Sequence, residues 1–81
     1  MAQIQEDQTL DARELLCPMP VVKTAKAMKE LEPGRVLKIV ATDRGAITDL
    51  PAWAETTGNE MLAWHDEDDH LVFLIRKGGA E

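Results

Sequence analysis

At 81 residues and 9.0 kDa, the chain has the size of one domain spanning 1–81, too small for most stand-alone enzyme architectures. Its 44% apolar residues suffice for one core, while the single cysteine, Cys17, excludes an internal disulfide framework and a multi-cysteine metal site. The net charge of -6 disfavours direct nucleic-acid binding, and the absence of serine and tyrosine removes a Ser-His-Asp hydrolase.

The polar, acidic start, Met1–Gln8, lacks the basic segment and apolar run of a secretory signal, and no later stretch reaches membrane-span length. With a lone free cysteine, which suits a reducing compartment, a soluble cytoplasmic protein is expected. The ordered core is expected over about 9–77. Gln8–Ala12 reads as a short strand, and Arg13–Leu16 as a tight connection leading to Cys17-Pro18-Met19-Pro20, where a helix begins. Val21, Ala25 and Met28, flanked by Thr24 and Leu31, form its apolar face at helical spacing. Lys23, Lys26 and Glu30 fall opposite, and Glu32-Pro33-Gly34 closes the helix. Arg35–Thr42 is rich in β-branched residues and reads as a central strand. After the loop Asp43-Arg44-Gly45, Thr48 or Asp49 is expected to cap a second helix with Pro51 in its first turn and Gly58-Asn59 as its stop. Ile47, Leu50, Trp53, Ala54 and Thr57 supply its buried stripe. Glu60–His65 and His70–Lys77 then read as a hairpin across the turn Asp66–Asp69.

The order β-α-β-α-β-β predicts a two-layer α/β sandwich, a four-stranded mixed sheet with both helices on one face, because right-handed crossovers return each helix to the same side. Val36, Val40, Val72 and Leu74 would then mark the open face as a partner or weak-dimer surface. Charge divides by halves. Residues 1–40 carry six basic and six acidic groups, and residues 41–81 three and nine. The neutral, lysine-bearing half around Cys17 is therefore the half expected to meet partners.

Cys17 heads the list of nucleophiles. With Cys17 as N-cap, Pro18 at N1 and Pro20 at N3 stiffen the approach to the thiol, and Met19 and Val21 keep free N–H groups near it. The helix dipole would favour thiolate by ~0.3–1 kcal/mol, a modest activation suited to thiol exchange. A cysteine hydrolase needs a positioned histidine base, and His65 and His70 sit at the acidic turn, where they read as ordinary surface residues rather than a metal site. Trp53 and Trp64 read as core. No metal and no cofactor is implied.

Leu10-Asp11-Ala12, Leu15, Cys17-Pro18-Met19-Pro20-Val21, Lys26-Ala27-Met28, Asp43, Asp49-Leu50-Pro51-Ala52-Trp53 and Thr57-Gly58-Asn59-Glu60 together resemble the TusA (SirA-like) sulfur-carrier family, over about Thr9 to Lys77. The resemblance implies a sandwich similar to the C-terminal domain of translation initiation factor three. It also implies a carrier whose Cys17 accepts sulfane sulfur as a persulfide, with Pro18, Met19 and Pro20 shaping the site. Implied partners are a donor protein, a cysteine desulfurase or rhodanese, and an acceptor such as a DsrE/TusD-like protein, in tRNA 2-thiolation, molybdenum cofactor metabolism or sulfur oxidation. Lys23, Lys26, Asp43 and Arg44 are the candidate docking residues. Two positions depart from the family pattern: Glu14 stands where many members have glycine, and Leu16 where some have a basic residue. The alternative is a non-catalytic interaction module docking through the open sheet face.

Overall fold

The computed structural model describes residues 5–79. Elements run β1 (Gln8–Ala12), α1 (Met19–Lys29), β2 (Val36–Ala41), α2 (Ala46–Thr57), β3 (Glu60–Asp66) and β4 (Leu71–Arg76). The strands form one sheet in the order β1-β2-β4-β3, with β1 parallel to β2 and the other two pairings antiparallel. Each βαβ crossover lays its helix on the same face, α1 over β1 and β2 and α2 over β3, so the architecture is the two-layer α/β sandwich that the element order predicts.

Strand alternation sorts the side chains. Leu37, Ile39 and Ala41 of β2 and Leu71, Phe73 and Ile75 of β4 face the helices and are essentially inaccessible, joined by Ala12, Met28, Leu50 and Ala54. On the open face Val36, Val72 and Leu74 are also buried, although no second layer of the described residues covers them. Val40 is half-buried. Long neighbours on this face account for the cover: Lys38 pairs in register with Leu74, and Arg76 lies opposite Glu60, to which it donates a hydrogen bond. The expected open apolar patch is therefore largely screened by its own sheet. Exposed large apolar side chains gather elsewhere, at Leu16, Met19 and Val22.

Local chemistry moves several expected boundaries. Pro18, not Cys17, caps α1, which puts Pro20 at the second helical position instead of the third. The N–H of Met19, expected to be free, donates to the Leu16 carbonyl at 2.8 Å. The helix α2 starts at Ala46 with Gly45 as cap, ahead of the expected Thr48 or Asp49, so Pro51 lies inside the helix rather than in its first turn. Asp43 makes that early start: its Oδ1 accepts from the Gly45 N–H at 3.0 Å and its carbonyl from the Ala46 N–H at 3.0 Å. Gly58 ends α2 at φ 79, the left-handed stop its position suggested. Thr57 is exposed instead of buried, its hydroxyl donating to the Trp53 carbonyl at 2.7 Å. Trp64 is 40% exposed on the edge strand, stacked on Phe73 with ring centroids 6.2 Å apart.

The buried stripe of α1 is Pro20, Thr24 and Met28, with Val21 and Leu31 packed at its margins. Thr24 is fully buried and its Oγ1 has no hydrogen-bond partner among the described residues. A buried hydroxyl without a partner loses its hydration for nothing, whereas a methyl of the same shape loses none. Thr24→Val is expected to raise stability by about 1 kcal/mol, read as a higher urea midpoint at unchanged slope. A lower midpoint would mean that the hydroxyl has a partner in solution.

Candidate functional site

The loop carrying Cys17 leaves the C-terminal end of β1, beside the C-terminal end of its parallel neighbour β2. Glu14 adopts φ 67 there and its N–H donates to Thr42 Oγ1 at 2.7 Å. This explains the departure noted at that position: the backbone is left-handed, a conformation glycine takes freely and glutamate only at a cost of about 1–2 kcal/mol. The Cys17–Pro18 peptide is cis.

Two carboxylates hold the cysteine. Its N–H donates to Asp43 Oδ2 at 2.6 Å, and its Sγ donates to Asp49 Oδ2 at 2.6 Å. Asp43 reaches it from the loop after β2, and Asp49 from the first turn of α2. The two backbone N–H groups bonded to Asp43, from Gly45 and Cys17, hold its carboxyl below the usual carboxylate range. The thiol moves the other way. Its hydrogen bond to Asp49, then desolvation, then the charges of Asp49 and Asp43 push the Cys17 pKa above that of an ordinary thiol. The expected thiolate-favouring site is thus corrected. The helix dipole acts on an exposed sulfur one residue outside the cap, and a carboxylate in direct contact with the sulfur outweighs it.

The thiol is nevertheless exposed. Near it in sequence, Leu16 is 74%, Val22 49% and Met19 39% exposed, an apolar collar of the kind that can mark an interaction surface. Met19, Val22, Lys23 and Lys26 follow i, i+3, i+4, i+7 spacing, so one exposed ridge of α1 runs from the apolar collar to the two lysines. Arg44 pairs with Asp66 of β3 at 3.0 Å. Of the candidate docking residues, therefore, Asp43 belongs to the thiol, the lysines to the ridge, and Arg44 to neither.

Folding also redistributes charge. Ala12, Ala41, Leu71 and Asp66 lie in line across the sheet, which brings the acidic turn after β3 to the same end as Cys17. The neutral setting expected from the sequence halves gives way to a more acidic one, in which Arg13 and Arg44 are each paired with an aspartate and Lys23 and Lys26 lie on the α1 ridge. Beside the Cys17 loop an open cleft of about 470 Å³ is lined by Asp11, Arg13, Glu14, Thr42, Asp69 and His70, without Cys17 itself. Across it Arg13 grips Asp11 with two side-chain bonds, at 2.9 and 3.0 Å. Those bonds and the Arg13 N–H pull the Asp11 pKa down to about 2. A carboxyl lowered on folding contributes stability above its unfolded pKa and loses it as pH falls toward 2. Carbon-detected NMR should find Asp11 titrating near 2, and Arg13→Gln should move it part of the way back toward the free value of about 3.9, because the backbone N–H at position 13 still donates to Asp11. An ordinary titration in the unaltered protein would remove the pair from solution.

Sequence reasoning missed Asp49 as a sulfur contact and Leu16 and Val22 as the collar. The first was visible as a possible cap and as part of the family motif, Leu16 as a departure from the family pattern, and Val22 as an apolar residue outside the expected buried face of α1.

A two-layer α/β domain that presents one exposed thiol at the end of its sheet, its cysteine bonded to two carboxylates beside exposed apolar side chains, defines the class: a small single-thiol α/β domain. Comparison with known proteins makes the assignment specific. A family described as "Sulfurtransferase TusA" matches residues 8–77. The chain is 51% identical over 75 residues to the putative sulfur carrier protein YrkI of Bacillus subtilis, covering 93% of this chain and all of that one. It is 41% identical over 71 residues to the sulfur carrier protein TusA of Allochromatium vinosum, covering 88% and 93%. A crystal structure of a SirA-like protein from Desulfitobacterium hafniense superposes with a TM-score of 0.71 at 30% identity, covering 88% and 97%. The chain belongs to the TusA family.

Proposed function

We propose that this protein is a cytoplasmic sulfur carrier that takes sulfane sulfur onto Cys17 as a persulfide and passes it to an acceptor protein. The observation that carries the reading is an exposed thiol, the only one in the chain, inside a collar of exposed apolar residues. A relay needs both partners to reach one sulfur atom, and with no second cysteine its persulfide has no internal disulfide to collapse into. The names of the relatives support the same role.

In loading, the Cys17 sulfur bonds to the terminal sulfur of a donor persulfide, and the donor sulfur leaves with the electron pair of the broken S–S bond. In delivery an acceptor thiolate attacks the outer sulfur of the Cys17 persulfide, and the Cys17 sulfur leaves in turn. Neither step requires a metal, a cofactor or a change of net oxidation state. The donor is a cysteine desulfurase or rhodanese, the acceptor a DsrE/TusD-like protein, and the relay serves tRNA 2-thiolation or sulfur oxidation and trafficking. Leu16, Met19 and Val22 supply the apolar contact, Lys23 and Lys26 the charge that registers an acidic partner along α1. Incubation with a charged cysteine desulfurase or a thiosulfate-charged rhodanese should add the mass of one sulfur atom, removable by thiol reductant. A protein that takes up no sulfur from either class of donor is not a carrier of this kind.

A further inference from the structure

The bond between Cys17 and Asp49 says which protonation state the site is built for. Cys17 Sγ lies 2.6 Å from Asp49 Oδ2, with the thiol as donor and the carboxylate oxygen as acceptor. Asp49 lies in the first turn of α2. Asp43 fixes the backbone of the same cysteine from the other side, through the N–H bond at 2.6 Å. Asp49 from α2 and Asp43 from the loop after β2 are the charged groups whose fields reach the sulfur. The arrangement is the reverse of what a spontaneously reactive thiol needs, since the thiolate is the attacking species.

Building on the carrier reading, we infer that Asp49 is a positioning residue of the transfer reaction: it keeps Cys17 a neutral, oriented thiol in the free protein and releases it when a partner places a cationic side chain against the Asp49 carboxylate. A lysine, arginine or protonated histidine there neutralises the charge that holds the proton, and the carboxylate exchanges the thiol for the stronger charged donor. The proton leaves Sγ as the thiolate attacks the terminal sulfur of the donor persulfide. The donor S–S bond breaks, and the departing donor sulfur takes up a proton, so a thiol and a persulfide become a persulfide and a thiol with nothing oxidised overall. The hold protects the exposed sulfur between encounters, and it selects partners by the charge they carry next to their own sulfur.

The test needs no sulfur donor, so its failure and the failure of the carrier reading are separate results. The rate of Cys17 alkylation by neutral iodoacetamide is measured against pH, alongside labelling at neutral pH by a cationic and an anionic methanethiosulfonate. In the unaltered protein the alkylation midpoint should lie above that of an unstructured cysteine peptide, and the cationic reagent should react faster than the anionic one. In Asp49→Asn the midpoint should fall. Each tenfold gain in thiolate then speeds alkylation at neutral pH by about three- to fourfold, because nucleophilicity declines as the pKa does. The preference for the cationic reagent should drop by about threefold or more and be regained in Asp49→Glu. A midpoint in the unaltered protein at or below that of the peptide overturns the inference without recourse to any variant. An Asp49→Asn protein of native circular dichroism whose midpoint and reagent preference are both unchanged overturns it as well.

Discussion

Cys17→Ser is expected to abolish sulfur loading from every donor while leaving the unfolding curve of the protein within about 0.5 kcal/mol of its original position. Loss should be complete rather than partial because the chain has no second thiol to substitute. A serine hydroxyl neither ionises near neutral pH nor forms an S–S bond. Stability should hold for a reason written in the site itself: the side chain is exposed, and no core contact depends on sulfur. The serine hydroxyl can donate to Asp49 as the thiol does, and the Cys17 N–H bond to Asp43 is a backbone contact that the substitution does not touch. Intact mass after incubation with a charged donor reads the first effect, and chemical denaturation the second. Retention of a reductant-labile sulfur adduct in Cys17→Ser would place the cargo elsewhere, and a large fall in stability would make Cys17 a structural residue.

The contrast between that site and the fold shows what a sequence carries and what it does not. Strand β1 is found where alternation and turn residues put it, and the hairpin turn falls on the acidic run, because both are decided by residues adjacent in sequence. The one-residue shift at the start of α1 and the early start of α2 come from side-chain and turn bonds that propensity does not register, Met19 to Leu16 in one case and Gly45 to Asp43 in the other. Cys17 itself was legible from the two prolines that follow it, Pro18 and Pro20. Its electrostatic setting was not, because Asp43 and Asp49 stand 26 and 32 residues away and reach the Cys17 N–H and sulfur, respectively, only once β2 lies beside β1. The same holds for charge. Sequence halves are not spatial halves in a sheet that ends β1, β2 and β3 and begins β4 at one edge, so the acidic residues after 40 arrive beside the thiol that the sequence seemed to keep apart from them.

Phe73→Ala should have the largest effect on folding of any single substitution considered. Phe73 is the largest fully buried side chain, on β4, the strand that β2 and β3 flank. It pairs with Ile39 on one side and Trp64 on the other, and stacks on the Trp64 ring. Truncation to alanine removes the ring from the core cluster it shares with Met28 of α1 and Leu50 and Ala54 of α2, and a strand hydrogen-bonded on both sides has little freedom to collapse into the space. Buried Phe→Ala changes of this kind cost about 3–5 kcal/mol, out of roughly 4–12 kcal/mol for a domain of this length. For so small a domain each kcal/mol moves the melting temperature by about 4–8 °C, so a fall on the order of 20 °C is expected, with a proportionate drop in urea midpoint. Phe73→Leu, which keeps most of the volume, should cost less than half as much. Because the thiol end of the sheet depends on β1, β2 and α2 staying in register, the alanine variant should also lose the raised alkylation midpoint of Cys17 once it melts, and regain it on cooling. A melting temperature lowered by only a few degrees would mean that Trp64, already half in solvent on the edge strand, swings inward to fill the cavity. The shift of its fluorescence to shorter wavelength would report that movement directly.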